Sequence, residues 1–523
     1  MSEAAGALAG PGALALRVRR IGLVAGPVLA IVCYLALPTE FADGAGKVVP
    51  FAHAGRATLA MLVWMAVWWM TEAVDIELTA LLPLAAFPLA GIASMDEAAA
   101  PYASSVVFLF LGGFILALGI QRCGLDRRIA FHTLRLVGTT PGRLVAGMLG
   151  TCAFLSMWIS NTAAAAMLVP VAIAVVDLVL RTKTGTGFNP KRGIPADQRD
   201  ARNFATALVL AIAYGASIGG VATLIGSPPN GIAAKFIQQT YGVEVSFLKW
   251  LSVGLPLALL FLPVAWFILV RVAFRSRLGP IEGGREYLDA ELRKLGPMAG
   301  AERAVLAVFL GAILLWITRP WVVAIKLGGV APFAGLTDAG VAMLAAIALF
   351  LIPVGGKTGL RAMDWDYAVQ LPWGVLMLFG GGLSLAAATE ATGVAAFIGS
   401  LTQHLGGLPV MVVVVAIIAL TVFASELTSN TAQVALMLPL LAAAAPGLGV
   451  PPGVLLIPCT LAASLAFMMP VGTPPNAIVF GTGLVKIPQM VRAGVMLNLC
   501  GIVLVTAFAY LVILPLLAAG RPS

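Results

Sequence analysis

A polar seven-residue cluster occurs twice in this chain, each time inside an apolar segment: Ser156-Met157-Trp158-Ile159-Ser160-Asn161-Thr162 and Ser425-Glu426-Leu427-Thr428-Ser429-Asn430-Thr431. Phe110/Phe379, Gly112/Gly381, Gly113/Gly382, Gly124/Gly393 and Pro170/Pro439 keep the same offset of 269 residues, which marks an ungapped internal duplication. A second pair, Gly226-Ser227-Pro228-Pro229-Asn230 and Gly472-Thr473-Pro474-Pro475-Asn476, recurs at an offset of 246. The 23 extra residues of the first half are visible as the polar stretch from Arg181 to Asn203, to which the sequence assigns no function. Two clusters in register behave as two halves of one site.

What surrounds the clusters decides the class. The 523 residues are 60% hydrophobic and 11% charged, and the mean hydropathy is +1.00, which describes an all-α polytopic membrane protein. A net charge of +9 raises nucleic acid as a partner, but the Lys and Arg residues fall in short loops with no basic, aromatic-interleaved stripe. No nucleic acid is expected. Cys33, Cys123, Cys152, Cys459 and Cys500 are scattered without CxxC or metal-ligand spacing, so neither a disulfide framework nor a cysteine metal site is expected. The first apolar run, from Ile21 to Leu37, follows Arg17, Arg19 and Arg20 and reads as a spanning helix rather than a cleaved signal.

A spanning helix needs about 20 apolar residues. That rule places about eleven of them, near 21–38, 57–73, 76–93, 101–121, 204–240, 249–274, 302–325, 337–353, 366–389, 453–485 and 490–516. Two apolar segments remain, 141–178 and 408–446, each interrupted midway by a Ser-Asn-Thr cluster. Ser, Asn and Thr compete for backbone groups and break helices, and irregular backbone at membrane depth must be buried in protein or line a wet cavity. Both segments are therefore expected to be re-entrant hairpins. With the N-terminus cytoplasmic, 25 Lys and Arg fall inside and 7 outside, as the positive-inside rule requires. The two hairpins then enter from opposite sides, the inverted repeat of a secondary transporter.

The chain divides at 1–138 (scaffold helices and an interfacial segment), 139–245 (first hairpin and broken helix), 246–405 (scaffold and connector) and 406–523 (second hairpin, broken helix and last helix). The charged stretch from Arg275 to Arg303 reads as a connector without a folded pattern. Residues 125–137 read either as an amphipathic helix along the inner interface or as a short amphipathic linker.

Facing hairpin tips would offer Ser160, Asn161, Thr162, Ser429, Asn430 and Thr431, with Ser227 and Thr473 from the two broken helices. None is a cation. Hydroxyl and amide N–H groups can donate to a carboxylate or sulfate, and their oxygens can coordinate a hard monovalent cation such as Na+. A dianion held without Arg or Lys needs its charge balanced, and co-bound sodium would do this while coupling the two fluxes. The Gly-Ser/Thr-Pro-Pro-Asn breaks add free backbone groups and half-helix dipoles.

The segment from Ala463 to Val479, ASLAFMMPVGTPPNAIV, the paired Ser-Asn-Thr clusters, and WWMTEAVDIELTALLP from Trp68 to Pro83 resemble the divalent anion:sodium symporter family of di- and tricarboxylate transporters. Asp75 departs from the proline expected there. The resemblance, over about residues 20–516, implies an elevator-type homodimer in a bacterial inner membrane importing C4-dicarboxylates such as succinate, malate or fumarate, or a related di/tricarboxylate. It implies one sodium site at Ser156, Ser160, Asn161 and the Gly226 carbonyl, and a second at Ser425, Asn430 and the Gly472 carbonyl. Substrate carboxylates would lie between Asn161-Thr162 and Asn430-Thr431, with Ser160, Ser429, Ser227, Thr473 and Pro474 around them. A sodium-independent exchanger of the same fold and a sulfate carrier are the alternatives.

Other classes fit less well. A hydrolase would need a base beside Ser160 or Ser429, and no His or paired Asp accompanies either in the duplicated pattern; no enzymatic activity is expected. His53, His132 and His404 fall in loops or interfacial segments, which argues against a proton relay. A channel needs no pair of inverted half-sites. Glu426, with Met157 as its counterpart, is either a functional ionisable group or the partner of a neighbouring donor that orders the hairpin.

Overall fold

A computed structural model describes residues 13–42, 47–184, 187–189, 194–195, 197–355, 360–403, 407 and 409–513. His404 and seven residues of the Arg181 to Asn203 insertion (185, 186, 190–193 and 196) lie outside them. The described chain is helical apart from two short ribbons, Glu40–Ala42 with Val48–Pro50 and Pro353–Gly355 with Leu360–Arg361. Among the described residues eight helices are long and apolar enough to cross a membrane, with four shorter apolar helices beside them; seven of the eight fall on the eleven expected spans and the eighth, Asn161–Thr182, is the returning arm of the first hairpin. The difference has local causes. The segment expected at 76–93 is two pieces, Ile76–Ala80 and Leu82–Leu89, and the one at 337–353 is the 14-residue helix Asp338–Leu351. The spans at 204–240 and 453–485 are each divided at their Pro-Pro-Asn motif.

Both hairpins form where the clusters place them. The first pairs Pro141–Ser156 with Asn161–Thr184, the second Val410–Ser425 with Asn430–Gly447. The entering arms are 16 residues each and coincide at the 269-residue offset. Ser160 Oγ accepts from Ala163 N (3.2 Å) and Ser429 Oγ from Ala432 N (3.5 Å). Each serine thus caps the helix that leaves the tip, satisfying a backbone N–H that the helix cannot.

The repeats interlock crosswise. After each break, a helix packs against the returning arm of the opposite hairpin: Pro228–Tyr241 against Asn430–Gly447, and Pro474–Gly481 against Asn161–Thr184. Phe110 and Phe379, equivalent residues, touch each other with ring centroids 4.6 Å apart, as residues on a two-fold axis do. The helix Arg199–Ala222 is buried throughout its apolar stretch. It lies against the first hairpin through Gly215 and Gly219, where a Cβ would crowd the backbone of Leu149 and Ala153, the small-residue contact that lets membrane helices approach closely.

At one end of the bundle, Leu125–Val137 is a continuous helix. The connector is not featureless: Gly284–Leu295 is a second amphipathic helix packed on the first. Its charges hid a stripe of Leu288, Leu292 and Leu295 at helical spacing. Arg135 pairs with Asp289 at 2.6 Å, and the largely buried Arg128 pairs with Glu302 at 2.9 Å while also donating to Gly296 O at 3.0 Å. Glu72, a half-exposed turn residue in the left-handed region (φ 45°), ends its helix and pairs with Arg19 at 2.6 Å.

Candidate functional site

Each half-site begins with an unwound segment that must satisfy its own backbone away from water. In the first break the Asn230 side-chain amide donates to Gly220 O (2.9 Å) and Thr223 O (2.8 Å). In the second, Asn476 donates to Ala466 O (3.1 Å) and Met469 O (3.0 Å), the equivalent carbonyls at the 246-residue offset. Both asparagines are fully buried. The asparagine of the Pro-Pro-Asn motif is thus a clamp across the break; its sequence position marks it, but its two partners are backbone carbonyls that no side-chain pattern reveals.

The structure brings Ser156, Asn161 and Gly226 together. Ser156 is fully buried; its Oγ donates to Ala216 O at 2.8 Å and lies 2.5 Å from the Asn161 side-chain amide. The same amide oxygen lies 3.3 Å from Ala216 O and 3.2 Å from Gly226 O. Four oxygens therefore crowd one point: a hydroxyl, an amide oxygen and two carbonyls. Two things relieve contact between acceptors. A half-turn of the carboxamide places Nδ2 there, its two N–H groups donating among the three neighbouring oxygens, or a cation sits among the oxygens. Neutral oxygen ligands suit a hard monovalent ion, and among the described residues no group of three His, Cys, Asp or Glu offers a site of another kind. The Ala216 carbonyl is the member that sequence reasoning missed.

The second half-site is built differently. Ser425 is fully buried, and its Oγ donates to Val422 O at 2.8 Å. Asn430 Oδ1 is buried without a hydrogen-bond partner. Gly472 lies against Glu426, where a Cβ would sit 3.2 Å from Oε2. No hydrogen bond joins Ser425, Asn430 and Gly472 among the described residues. Glu426 accepts from Phe467, Met468 and Met469 N–H groups and from Asn498 Nδ2, so it does order the tip by pairing with neighbouring donors.

The substrate candidates divide by exposure. Thr162 and Pro474 are exposed, Ser160, Ser429, Asn430 and Thr431 are half-buried, and Ser227 and Thr473 are buried. Thr473 Oγ1 accepts from Asn476 N (3.3 Å), capping its helix. Ser227 Oγ meets Ser464 Oγ at 3.5 Å, a direct contact between the two breaks. The tips themselves do not touch through hydrogen bonds: none links Asn161 or Thr162 to Asn430 or Thr431 among the described residues. Four helices begin at these segments, at Asn161, Pro228, Asn430 and Pro474. Helix N-termini offer unpaired N–H groups and positive dipole ends, which favour an anion.

Similarity to known proteins identifies the family. The family model described as the sodium:sulfate symporter transmembrane region matches residues 49–517. The sodium-dependent dicarboxylate transporter SdcS of Staphylococcus saprophyticus is 37% identical over 498 residues, 95% of this chain and 92% of its own length. Its counterpart in Staphylococcus aureus strain USA300 is 37% identical over 493 residues, covering 94% and 91%. The YdaH transporter of Alcanivorax borkumensis has a similar fold, with a TM-score of 0.55 at 15% identity over 97% of this chain and 98% of that one. The chain is a member of the sodium:sulfate symporter family.

Proposed function

We propose that this protein is a sodium-coupled importer of C4-dicarboxylates. The observation that carries the reading is the cluster of Ser156, Asn161, Ala216 and Gly226 oxygens beside the N-terminus of the Asn161–Thr184 helix. A cation held there neutralises part of a dianion resting on the helix N-termini without any Lys or Arg. The dicarboxylate specificity named for the 37% identical SdcS proteins supports the same substrate class.

In this reading Ser156, Ser160, Asn161 and Gly226 O hold one sodium ion and Ser425, Asn430 and Gly472 O a second. Ser160, Asn161, Thr162, Ser429, Asn430 and Thr431 contact the two carboxylates, with Ser227, Thr473 and Pro474 closing the sides. The hairpins and broken helices, 139–245 and 406–523, travel together against the scaffold of a homodimer in the bacterial inner membrane, with the N-terminus on the cytoplasmic side.

Uptake of labelled succinate into proteoliposomes tests this. An inward sodium gradient should drive accumulation that an equal potassium gradient does not. Uptake confined to succinate-preloaded vesicles and indifferent to sodium would make the protein an exchanger and refute the reading. Removing one ligand oxygen, by Ser156→Ala or Ser425→Ala, should raise the sodium concentration for half-maximal uptake roughly fivefold, the effect of about 1 kcal/mol. A sodium titration unchanged in both variants means that the cation sites lie elsewhere.

A further inference from the structure

Two pairs of equivalent positions set the half-sites apart. The first tip has Met157 where the second has Glu426, and the first break has Thr223 where the second has Met469. In the first repeat Thr223 Oγ1 donates to Met157 O at 2.5 Å and accepts from Gly226 N at 3.0 Å. A neutral hydroxyl on the break thus staples the break to the tip.

In the second repeat the polar group has moved from the break to the tip and has become a carboxylate. Glu426 is 3% exposed. Its Oε1 accepts from Phe467 N at 2.7 Å and Asn498 Nδ2 at 2.7 Å, and its Oε2 accepts from Met468 N at 3.0 Å and Met469 N at 2.9 Å. The helix Gly453–Ala463 ends well before its break, whereas its counterpart in the first repeat stays wound to Ala222. The amides freed by that early ending are the ones the carboxylate takes up.

No Lys, Arg or His is among the hydrogen-bonding partners of Glu426 in the described residues. Peptide N–H dipoles orient a carboxylate and stabilise it, but they leave its unit charge in place. That charge sits against Gly472, whose carbonyl belongs to the proposed second cation site, and it is adjacent in sequence to Ser425. The first half-site has only dipoles. In a poorly polarisable interior a unit charge a few ångströms from a cation outweighs a neutral ligand.

Resting on the assignment of the two cation sites above, we propose that Glu426 is the fixed counter-charge of the second site. It makes the Ser425, Asn430 and Gly472 half-site the tighter of the two, so that this site fills first at low sodium, while Met157 leaves the first half-site neutral and weaker. The duplicated transporter has in this way assigned different affinities to two geometrically related positions.

The test uses the purified full-length protein, with sodium titrations of thermal stabilisation in the absence of substrate and of succinate uptake in proteoliposomes. Glu426→Gln should raise the half-maximal sodium concentration in both assays by roughly tenfold or more, while the succinate concentration for half-maximal rate at saturating sodium stays within about threefold. Asn498→Leu keeps the charge and removes one donor; it should lower the unfolding temperature and leave both sodium titrations within about twofold. Should Glu426→Gln not fold, Glu426→Met combined with Met469→Thr supplies the neutral staple of the first repeat, and it carries the same expectation for sodium. A wild-type sodium titration in either charge-neutral variant overturns the proposal. So does an Asn498→Leu shift as large as that of Glu426→Gln, which would make Glu426 a strap for the loop and nothing more. Ser425→Ala, measured alongside, separates the causes: if it shifts and Glu426→Gln does not, the site stands and the counter-charge falls, whereas no shift in either overturns both.

Discussion

Asn161→Ala should reduce sodium-driven succinate uptake at least about a hundredfold, with the protein still inserted and monodisperse. The side chain is the junction of the first half-site: one amide oxygen lies beside Ser156 Oγ, Ala216 O and Gly226 O at 2.5, 3.3 and 3.2 Å. Alanine removes the amide altogether, both its oxygen, a ligand for a cation, and its two N–H donors to the neighbouring oxygens. The vacant site is then left with unpaired buried acceptors, each costing about 1–3 kcal/mol, and the loaded site loses a ligand. Asn430→Ala should be comparably severe, because its buried Oδ1 has no hydrogen-bond partner among the described residues and so is open to cargo. Uptake near the wild-type rate in either variant, at equal reconstituted protein, would remove the central role given to the tips.

Gly219→Val should abolish recovery of folded protein, and Gly219→Ala should lower its unfolding temperature markedly. A Cβ at Gly219 would lie 2.6 Å from the Ala153 carbonyl carbon and 2.5 Å from its Cα. Those are backbone atoms of a helix that cannot bend away from a side chain as another side chain would. Overpacking a dense core costs about 1–3 kcal/mol when side chains can yield and more when they cannot. Gly150, on the same hairpin arm, has nothing within 4 Å of the same position. Gly150→Ala should therefore be tolerated and serves as the control. A Gly219→Val protein with a wild-type melting curve would mean that helix 199–222 and the first hairpin are not packed as described.

These expectations rest on parts of the molecule that the sequence discloses unequally. The hairpins were legible almost to the residue, because a capping serine, a helix-starting asparagine and an exact 269-residue repeat are local signals. The Pro-Pro-Asn breaks were legible for the same reason. The connector helix Gly284–Leu295 was not, since its three leucines are sparse among charges and gain meaning only against the helix Leu125–Val137. Ala216 could not be found at all: it enters the site through a carbonyl that any residue could supply. The role of Glu426 depended on Phe467 to Met469 and on Asn498, about 41 and 72 residues away. The packing of the second hairpin's entering arm against the helices Gly453–Ala463 and Ile487–Phe508 of the same repeat places those groups beside it.

The clamps made by Asn230 and Asn476 bear on speed as well as shape. Both breaks pair two of their backbone carbonyls to a side chain of the same segment, bonds in which no cargo takes part. A binding loop that depended on its cargo for those bonds would slacken at each release and would have to be rebuilt before the next capture. Here the emptied carrier goes back already formed, so the free energy of the ion gradient is spent on moving solute uphill rather than on refolding the cradle that holds it.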